Sequence, residues 1–218
     1  MRALIAALCL AACASVEGAA DAPPPFTSAV TPAPTQSAAY PAAVDLPAGV
    51  YRLDPRHASV HFRIRHEGLA WFTARFESKD ATLTLDPADP TRSQLTASVT
   101  SDSVNTGIVN AQGERTFDRS IARALGGAEI SFASTSIERT GEHTARVIGD
   151  LTMNGQTHPA TLDVTFAGAA VDPLRGGAQV LGFSAHGVID RTQWGVNEWR
   201  TFAGAEVQIV IEAELVRA

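Results

Sequence analysis

From Val50 onward apolar residues recur at every second position, and this period constrains the fold more than any other property of the 218-residue chain. Val60, Phe62, Ile64 and His66 share one face of an extended segment, with Ser59, His61, Arg63 and Arg65 on the other. The same alternation carries Leu95, Ala97 and Val99; Ile130, Phe132 and Ser134; and Ala145, Val147, Gly149, Leu151 and Met153. It returns in Ala160, Leu162, Val164 and Phe166, and again in Val207, Ile209, Ile211, Ala213 and Leu215. One-faced strands of this kind belong to antiparallel sheets with a dry side and a wet side. Turn signals separate them: Asp86-Pro87, Thr140-Gly141, Asn154-Gly155, and Asp172-Pro173 with Gly176-Gly177. Residues 109–125 break the pattern, because Ala111, Arg115, Phe117, Ile121, Ala122 and Leu125 fit helical spacing before a Gly126-Gly127 stop. The expected architecture is all-β, an antiparallel barrel or sandwich with a short helical insert. A domain of about 170 residues favours the barrel.

The first residues read differently. Met1 to Ala12 carry one positive charge and then an apolar run, too short for a bilayer span but suited to an export signal. Leu10-Ala11-Ala12-Cys13 resembles the bacterial lipobox, which makes Cys13 the expected lipidation site and first mature residue. A plain signal peptide cut at Ala12, Ser15 or Ala20 is the alternative. Ala14 after the cysteine points to outer-membrane rather than inner-membrane sorting by the enterobacterial pattern, with a soluble periplasmic or secreted protein as the alternative. Residues 13–48 hold Pro23, Pro24, Pro25, Pro32, Pro34, Pro41 and Pro47 among Ala, Ser and Thr, and read as a semi-extended tether. The alternative is an arm docked through Phe26 and Tyr40. The expected organisation is therefore a signal over 1–12, a lipidated cysteine and tether over 13–48, and a barrel over 49–218.

Charge and cysteine content exclude several classes. Removing residues 1–12 takes away Arg2 alone, leaving 16 basic groups against 23 acids and a net charge of −7. Such an acidic chain without a basic patch is poorly suited to nucleic acid or to electrostatic attachment to anionic lipid. The only cysteines are Cys9 and Cys13, so with Cys13 acylated or cut away no thiol remains for a disulfide, zinc site or nucleophile. His57 and His61, four residues apart on one strand face, stand roughly 13 Å apart by strand rise, too far for one metal ion. Ser184, His186 and Asp190 invite a triad reading, but Ser184 and His186 are two apart on one strand without a nucleophile elbow. No catalytic residue, metal ligand or cofactor is expected.

An eight-stranded barrel can be filled by side chains or can hold one small ligand. The inward face is aliphatic and Phe-rich, with small residues at Ala97, Gly149, Ala160, Gly182 and Ala213. These leave volume unless a neighbour fills it, so the pattern fits a ligand cavity and a tapering solid core equally. Arg191, Trp194, Trp199 and Phe202 cluster in a loop where they can shield a ligand or pack under the last strand. Arg191 is expected to pair with Asp190 or Asp150 at the rim.

Four ordered segments resemble the YceI family: Tyr51-Arg52-Leu53-Asp54 with the strand from His57 to Gly68; Ser103-Val104-Asn105-Thr106; Gly149-Asp150-Leu151-Thr152-Met153-Asn154-Gly155; and Arg191-Thr192-Gln193-Trp194-Gly195. The chain departs from the family at Ala74-Arg75-Phe76, at Glu114 to Asp118 in the insert, and at Gly127-Ala128. The resemblance implies a lipocalin-like antiparallel barrel that binds a polyisoprenoid, quinone-like or fatty-acyl chain in the periplasm. The residues expected to line the site are Phe62, Ile64, Phe76, Val99, Phe132, Val147, Leu151, Phe166, Phe183 and Trp194. His66 stands at the ligand's head, or is a rim histidine satisfied by backbone. A ligand-free structural or adhesion barrel and a lipid hydrolase are the rival functions, and oligomeric state is left open.

Overall fold

The computed structural model describes residues 46–218, so the expected signal, the lipidation site at Cys13 and nearly all of the tether lie outside the described residues. In chain order the elements are β1 (Gly49–His66), β2 (Ala70–Phe76), β3 (Lys79–Leu85), β4 (Gln94–Thr100), β5 (Val104–Asn105), α1 (Thr116–Ala124), β6 (Glu129–Arg139), β7 (Thr144–Met153), β8 (Gln156–Asp172), β9 (Ala178–Asp190) and β10 (Ala203–Arg217). All strand pairs are antiparallel. The circuit β1–β3–β4–β6–β7–β8–β9–β10 returns to β1 and closes an eight-stranded barrel. β1 is long enough to pair β3 through residues 49–52 and β2 through residues 60–66, while β10 covers its other edge. β5 then pairs β2.

Up-and-down connectivity defines two ends. One, the helix end, gathers the β1–β2 turn, α1, the Asn154-Gly155 turn and the β9–β10 loop. The other holds the start of β1, the loop over 86–93, the turn over 140–143 and the Pro173–Arg175 turn. Buried side chains form a large cluster that includes Phe76, Val104, Ile121, Leu151, Trp194 and Val196. A smaller cluster at the far end is built on Tyr51, Leu83, Ala169, Leu181 and Leu215.

Three irregularities reset the alternation. Pairing of β1 with β10 jumps from Leu53↔Leu215 to Ala58↔Ala213, so residues 54–57 bulge out and inward positions change from odd to even numbers. In β6 a bulge between Ser134 and Ser136 turns Ile137 inward opposite Val147. In β8 a bulge at residue 167 lets Ala169 follow Phe166 on the same face. Gly182, expected inward, lies between the inward Leu181 and Phe183 and faces the outside, where a Cβ would meet Ala167 Cβ at 3.5 Å.

The helix is shorter than the sequence pattern suggests, starting at Thr116 rather than 109. Asn110 explains the difference, since its Oδ1 accepts from the N–H groups of Gln112 (3.0 Å) and Glu114 (2.8 Å). A side chain holding these amides offers the backbone an alternative to helix, and Gly113 then takes φ 79°. Buried Ile121 and Ala122 turn inward, while Asp118 accepts from Thr106 N at 3.1 Å and pairs with Arg115 Nε at 2.8 Å.

Candidate functional site: a cavity along the barrel

The barrel is hollow. A cavity of about 830 Å³ is lined from His66, Phe72, Phe117, Trp199 and Phe202 at the helix end to Pro87, Pro90 and His143 at the other. That volume falls in the upper part of the range for small-molecule sites. On β10 the lining runs from Ala203 to Leu215, about 40 Å of strand, or roughly 30 Å along the axis of a tilted barrel. Phe62, Ile64, Phe166, Phe183, Ile209 and Ile211 point inward yet are only half-buried, because no side chain fills the space before them.

Two small residues admit a neighbour rather than opening the cavity. A Cβ on Gly149 would stand 2.5 Å from Phe132 Cζ and 2.4 Å from Ala133 O. One on Gly187 would stand 2.8 Å from Leu162 Cδ2. Phe132 and Leu162 are accordingly buried. Ala97, Ala185 and Ala213 line the hollow itself.

Of the side chains expected from sequence, Phe62, Ile64, Phe76 and Val99 line the cavity on β1, β2 and β4, Phe132, Val147 and Leu151 on β6 and β7, and Phe166 and Phe183 on β8 and β9. His66 reaches the same space as an exposed residue at the mouth. Trp194 does not line it. This indole is 1% exposed, donates from Nε1 to Leu151 O at 2.9 Å, and meets the His158 ring edge-on at 5.2 Å.

Arg191 also differs from expectation, because its partners are carbonyls rather than the carboxylates of Asp190 or Asp150. The guanidinium donates to Gly204 O (2.8 Å), Val196 O (2.9 Å), Glu198 O (2.8 Å) and Ala203 O (3.1 Å). Val196 and Glu198 lie in the β9–β10 loop and Ala203 and Gly204 open β10, so one planar donor set ties the loop to the strand that follows it. Burial pushes the Arg191 pKa down, opposed in part by the charge of Glu198. Asp190 instead caps the turn through Thr192 N (2.9 Å) and Thr192 Oγ1 (2.6 Å).

The loop ordered by Arg191 carries the aromatic mouth. Phe72 meets Phe117 of α1 at 5.8 Å between centroids, and Phe117 meets Trp199 at 5.9 Å, both edge-to-face. Trp199 holds φ 56°, an uncommon conformation for a bulky residue. The β1–β2 turn is tied to this loop by Glu67 N donating to Phe202 O at 2.6 Å.

At the far end, the β1 bulge buries Asp54 to 7% exposure. Its carboxylate accepts from His57 Nδ1 (2.6 Å), from Arg56 N (3.1 Å) and from Arg175 Nη2. Burial alone would raise its pKa, but these hydrogen bonds and the Arg175 charge hold it well below the usual carboxylate range. Asp54, His57 and Glu214 bring ligand-type atoms within 4.8 Å of one another. Arg175 already contacts both Asp54 Oδ2 and His57 Nδ1, the latter at 3.1 Å, and supplies the cation there. Sequence reading missed this cluster because the bulge that builds it has no turn signal beyond Asp54-Pro55.

The serine and histidine considered for hydrolysis lie on the outside of β9. Ser184 Oγ donates to Glu212 Oε2 at 2.6 Å, and His186, 71% exposed, faces Asp163 at 3.8 Å. These contacts direct the serine to a glutamate and leave the histidine without the orientation a general base requires.

An antiparallel eight-stranded barrel with a short helix beside one end and a hollow apolar axis has lipocalin-like architecture. Residues 51–215 match the family profile described as YceI-like domain. The chain belongs to this YceI-like family. It is 33% identical over 173 residues to a UPF0312 protein of Serratia proteamaculans, covering 77% of this chain and 86% of that one. It is 31% identical over 175 residues to protein YceI of Salmonella arizonae, covering 78% and 88%. Among solved structures, Burkholderia cenocepacia BcnA superposes with a TM-score of 0.63 at 20% identity, over 74% of this chain and 98% of that one. A polyisoprenoid binding domain from Saccharophagus degradans, implicated in plant cell wall breakdown, superposes at 0.53 with 12% identity, over 79% and 100%.

Proposed function

We propose that this protein sequesters or carries a long apolar amphiphile, a polyisoprenoid, quinone-like or fatty-acyl lipid, by burying its chain inside the barrel. The observation that carries this reading is the cavity of about 830 Å³ whose inward Phe and Ile side chains stay half-buried. A filled, purely structural barrel has no reason to leave such side chains uncovered, since each unburied methylene forgoes about 0.8 kcal/mol. The name of the Saccharophagus domain, a polyisoprenoid binder of the same fold, supports the ligand class. Binding here comes from the chain, with His66 and the Trp199 loop at the mouth beside the head. The proposed setting is the periplasm, with Cys13 acylated and the barrel held to the outer membrane by its tether.

The test is native mass spectrometry followed by organic extraction of protein purified from a bacterial periplasm. A co-purifying prenyl, quinone or acyl species that is displaced in Ala185→Trp or Ala213→Trp variants is the expected outcome. An apo mass that persists after added prenyl and acyl chains would overturn the binder in favour of the structural barrel. The same spectra read Cys13, since a diacylated mass that disappears in Cys13→Ser is expected and an unmodified cysteine would refute the anchor.

A further inference from the structure

Apart from histidines, six charged residues border the cavity: Lys79, Arg139 and Arg191, and Asp80, Glu142 and Glu212. None of the acids is directed into it. Asp80 stands between the inward Lys79 and Ala81 and pairs with outward Ser98, while Glu212 accepts from Ser184 on the outside of β9. Glu142 projects from the turn over 140–143 with its side chain 88% exposed, 3.8 Å from His143. Two of the cations are already engaged. Arg191 directs its donors at the four carbonyls described above. Lys79, whose cross-strand partner is the inward Val99, donates from Nζ to Glu77 O at 3.3 Å. Arg139 remains, with no ion pair and no side-chain hydrogen bond among the described residues.

The bulge in β6 puts Arg139 there. An unbroken period from Ile130, Phe132 and Ser134 would bring Ser136 and Glu138 inward. The extra residue between Ser134 and Ser136 reverses the parity, so Ile137 lies opposite Val147 and Arg139 opposite Ala145, both on the cavity wall. Glu138 is turned outside, 4.0 Å from Arg146. One bulge thus exchanges an inward acid for an inward base at the far mouth. The wall beneath Arg139 is apolar, formed by Ile137, Ala145, Val164 and Phe166. The rim is held in place, because Thr140 N donates to Thr144 O at 3.0 Å and Phe166 N donates to His143 O at 2.8 Å. The loop acids of that end face other groups: Asp86 towards Arg92 (3.6 Å), Asp89 towards the Thr91 amide (3.1 Å) and Asp172 towards Arg175 (3.1 Å).

We propose that the far mouth is a second head subsite, where Arg139 binds the carboxylate or phosphate of an anionic amphiphile whose chain runs from there towards the helix end. A guanidinium is a planar fork that meets either anion with paired N–H donors. Its alkyl stem lies along an apolar rim while the charged head stays in water, so the arginine keeps its charge at little cost before a ligand enters. The inference deepens the lipid-binding reading and rests on it. A neutral head, an alcohol or a quinone, keeps the His66 mouth, and an acidic head takes the other. The two ends of one hollow then select different ligand chemistries.

The experiment is displacement of a neutral fluorescent lipid from the full chain carrying Cys13→Ser, at about pH 8, where carboxylate and phosphate heads are ionised. Hexadecanoic acid is compared with hexadecanol, and a prenyl monophosphate with its own prenyl alcohol. Each pair shares one chain, so the affinity ratio reads the head alone. Wild type is expected to favour the anion about fivefold, the equivalent of about 1 kcal/mol, as for a well-placed exposed ion pair. Arg139→Gln should bring the ratio to about one, and Arg139→Lys should keep part of it. Arg146→Gln removes the same charge from the outer face of the neighbouring strand and should leave the ratio as it is. A ratio near one in wild type, with both chains taken up, overturns the subsite and leaves the lipid-binding reading standing. So does an equal fall in Arg146→Gln, which would mean a diffuse field. A preference that survives Arg139→Gln and is lost in His66→Gln overturns it too, by placing the acid at the helix end. A preference confined to one pair and abolished in Arg139→Gln supports the subsite and names its anion. No uptake of any chain by any variant refutes the lipid-binding reading itself.

Discussion

A buried carboxylate stabilises a fold only while its partners keep it charged, and Asp54 meets that condition through Arg175, His57 and the amide of Arg56. Folded Asp54 holds its proton more weakly than an unfolded aspartate, whose pKa is about 3.9. Its contribution is therefore complete at neutral pH and is lost as the pH falls through and below that value. Removing the charge in Asp54→Asn should cost about 3 kcal/mol at pH 7, by urea unfolding, because Arg175 and the bulge lose their anion. The gap between wild type and variant should narrow towards pH 3, and a gap independent of pH would show that the charge is immaterial. Gly149 gives a steric case. It lies on β7 where a methyl group would overlap Ala133 O and the Phe132 ring. Gly149→Ala should lower stability by about 1–3 kcal/mol, the usual penalty of overpacking, with the loss read from the same urea midpoints. A neutral result would mean that the Phe132 ring swings into the hollow, and chain binding should then weaken.

The Trp199 loop and α1 act as one element, because Arg191 orders the loop from within while Phe117 and Trp199 join it to the helix across the mouth. Trp199→Gly removes the aromatic cover and places the residue type best suited to φ 56° there. Its expected signature is faster release of a bound fluorescent acyl chain in stopped-flow displacement, with the urea midpoint nearly unchanged. An unchanged release rate would show that the chain leaves by the other end. What was readable in advance also sorts by element. Uninterrupted strands declared their faces, so alternation placed Phe62, Ile64, Val99 and Val147 on the inward side, where they line the hollow. Bulges did not, because an extra residue at 135 or 167 is invisible to a period of two. Ala111 and Arg115 fitted helical spacing, yet the Asn110 side chain captures the backbone amides of Gln112 and Glu114 that the helix would have used. The four family segments proved to hold structural parts: Asp54 at the β1 bulge, Asn105 bonded to Glu77 beside the β2–β3 bend, Asn154 donating to Trp194 O, and Arg191 in its loop. Apart from Phe62, Ile64, His66 and Leu151, the expected side chains that line the cavity lie outside those segments, since apolar walls require shape and hydrophobicity rather than particular chemistry.

At the scale of the molecule, closure of eight strands satisfies the barrel's ladder hydrogen bonds without help from the interior, which leaves the interior free to be empty. The cost of the empty space is borne by two buried clusters, one around Trp194 and α1 and one around Tyr51 and Leu181. Binding energy then depends on how much chain fits between the two ends. For a homologous series of fatty alcohols or acids, affinity should rise about fourfold per added methylene, the equivalent of about 0.8 kcal/mol. The rise should stop when the chain fills the hollow, and a longer chain should gain nothing further unless it leaves through the far end beside Pro87 and His143. Ala213→Trp narrows the hollow near that end and should move the plateau to shorter chains, while leaving the slope for short members unchanged. Isothermal titration across the series measures both quantities, and the burial of apolar area should appear as a negative heat-capacity change that grows with chain length. A flat dependence on length, with affinity set by the headgroup, would place recognition at the rim around His66 and reduce the cavity to a by-product of the barrel's closure.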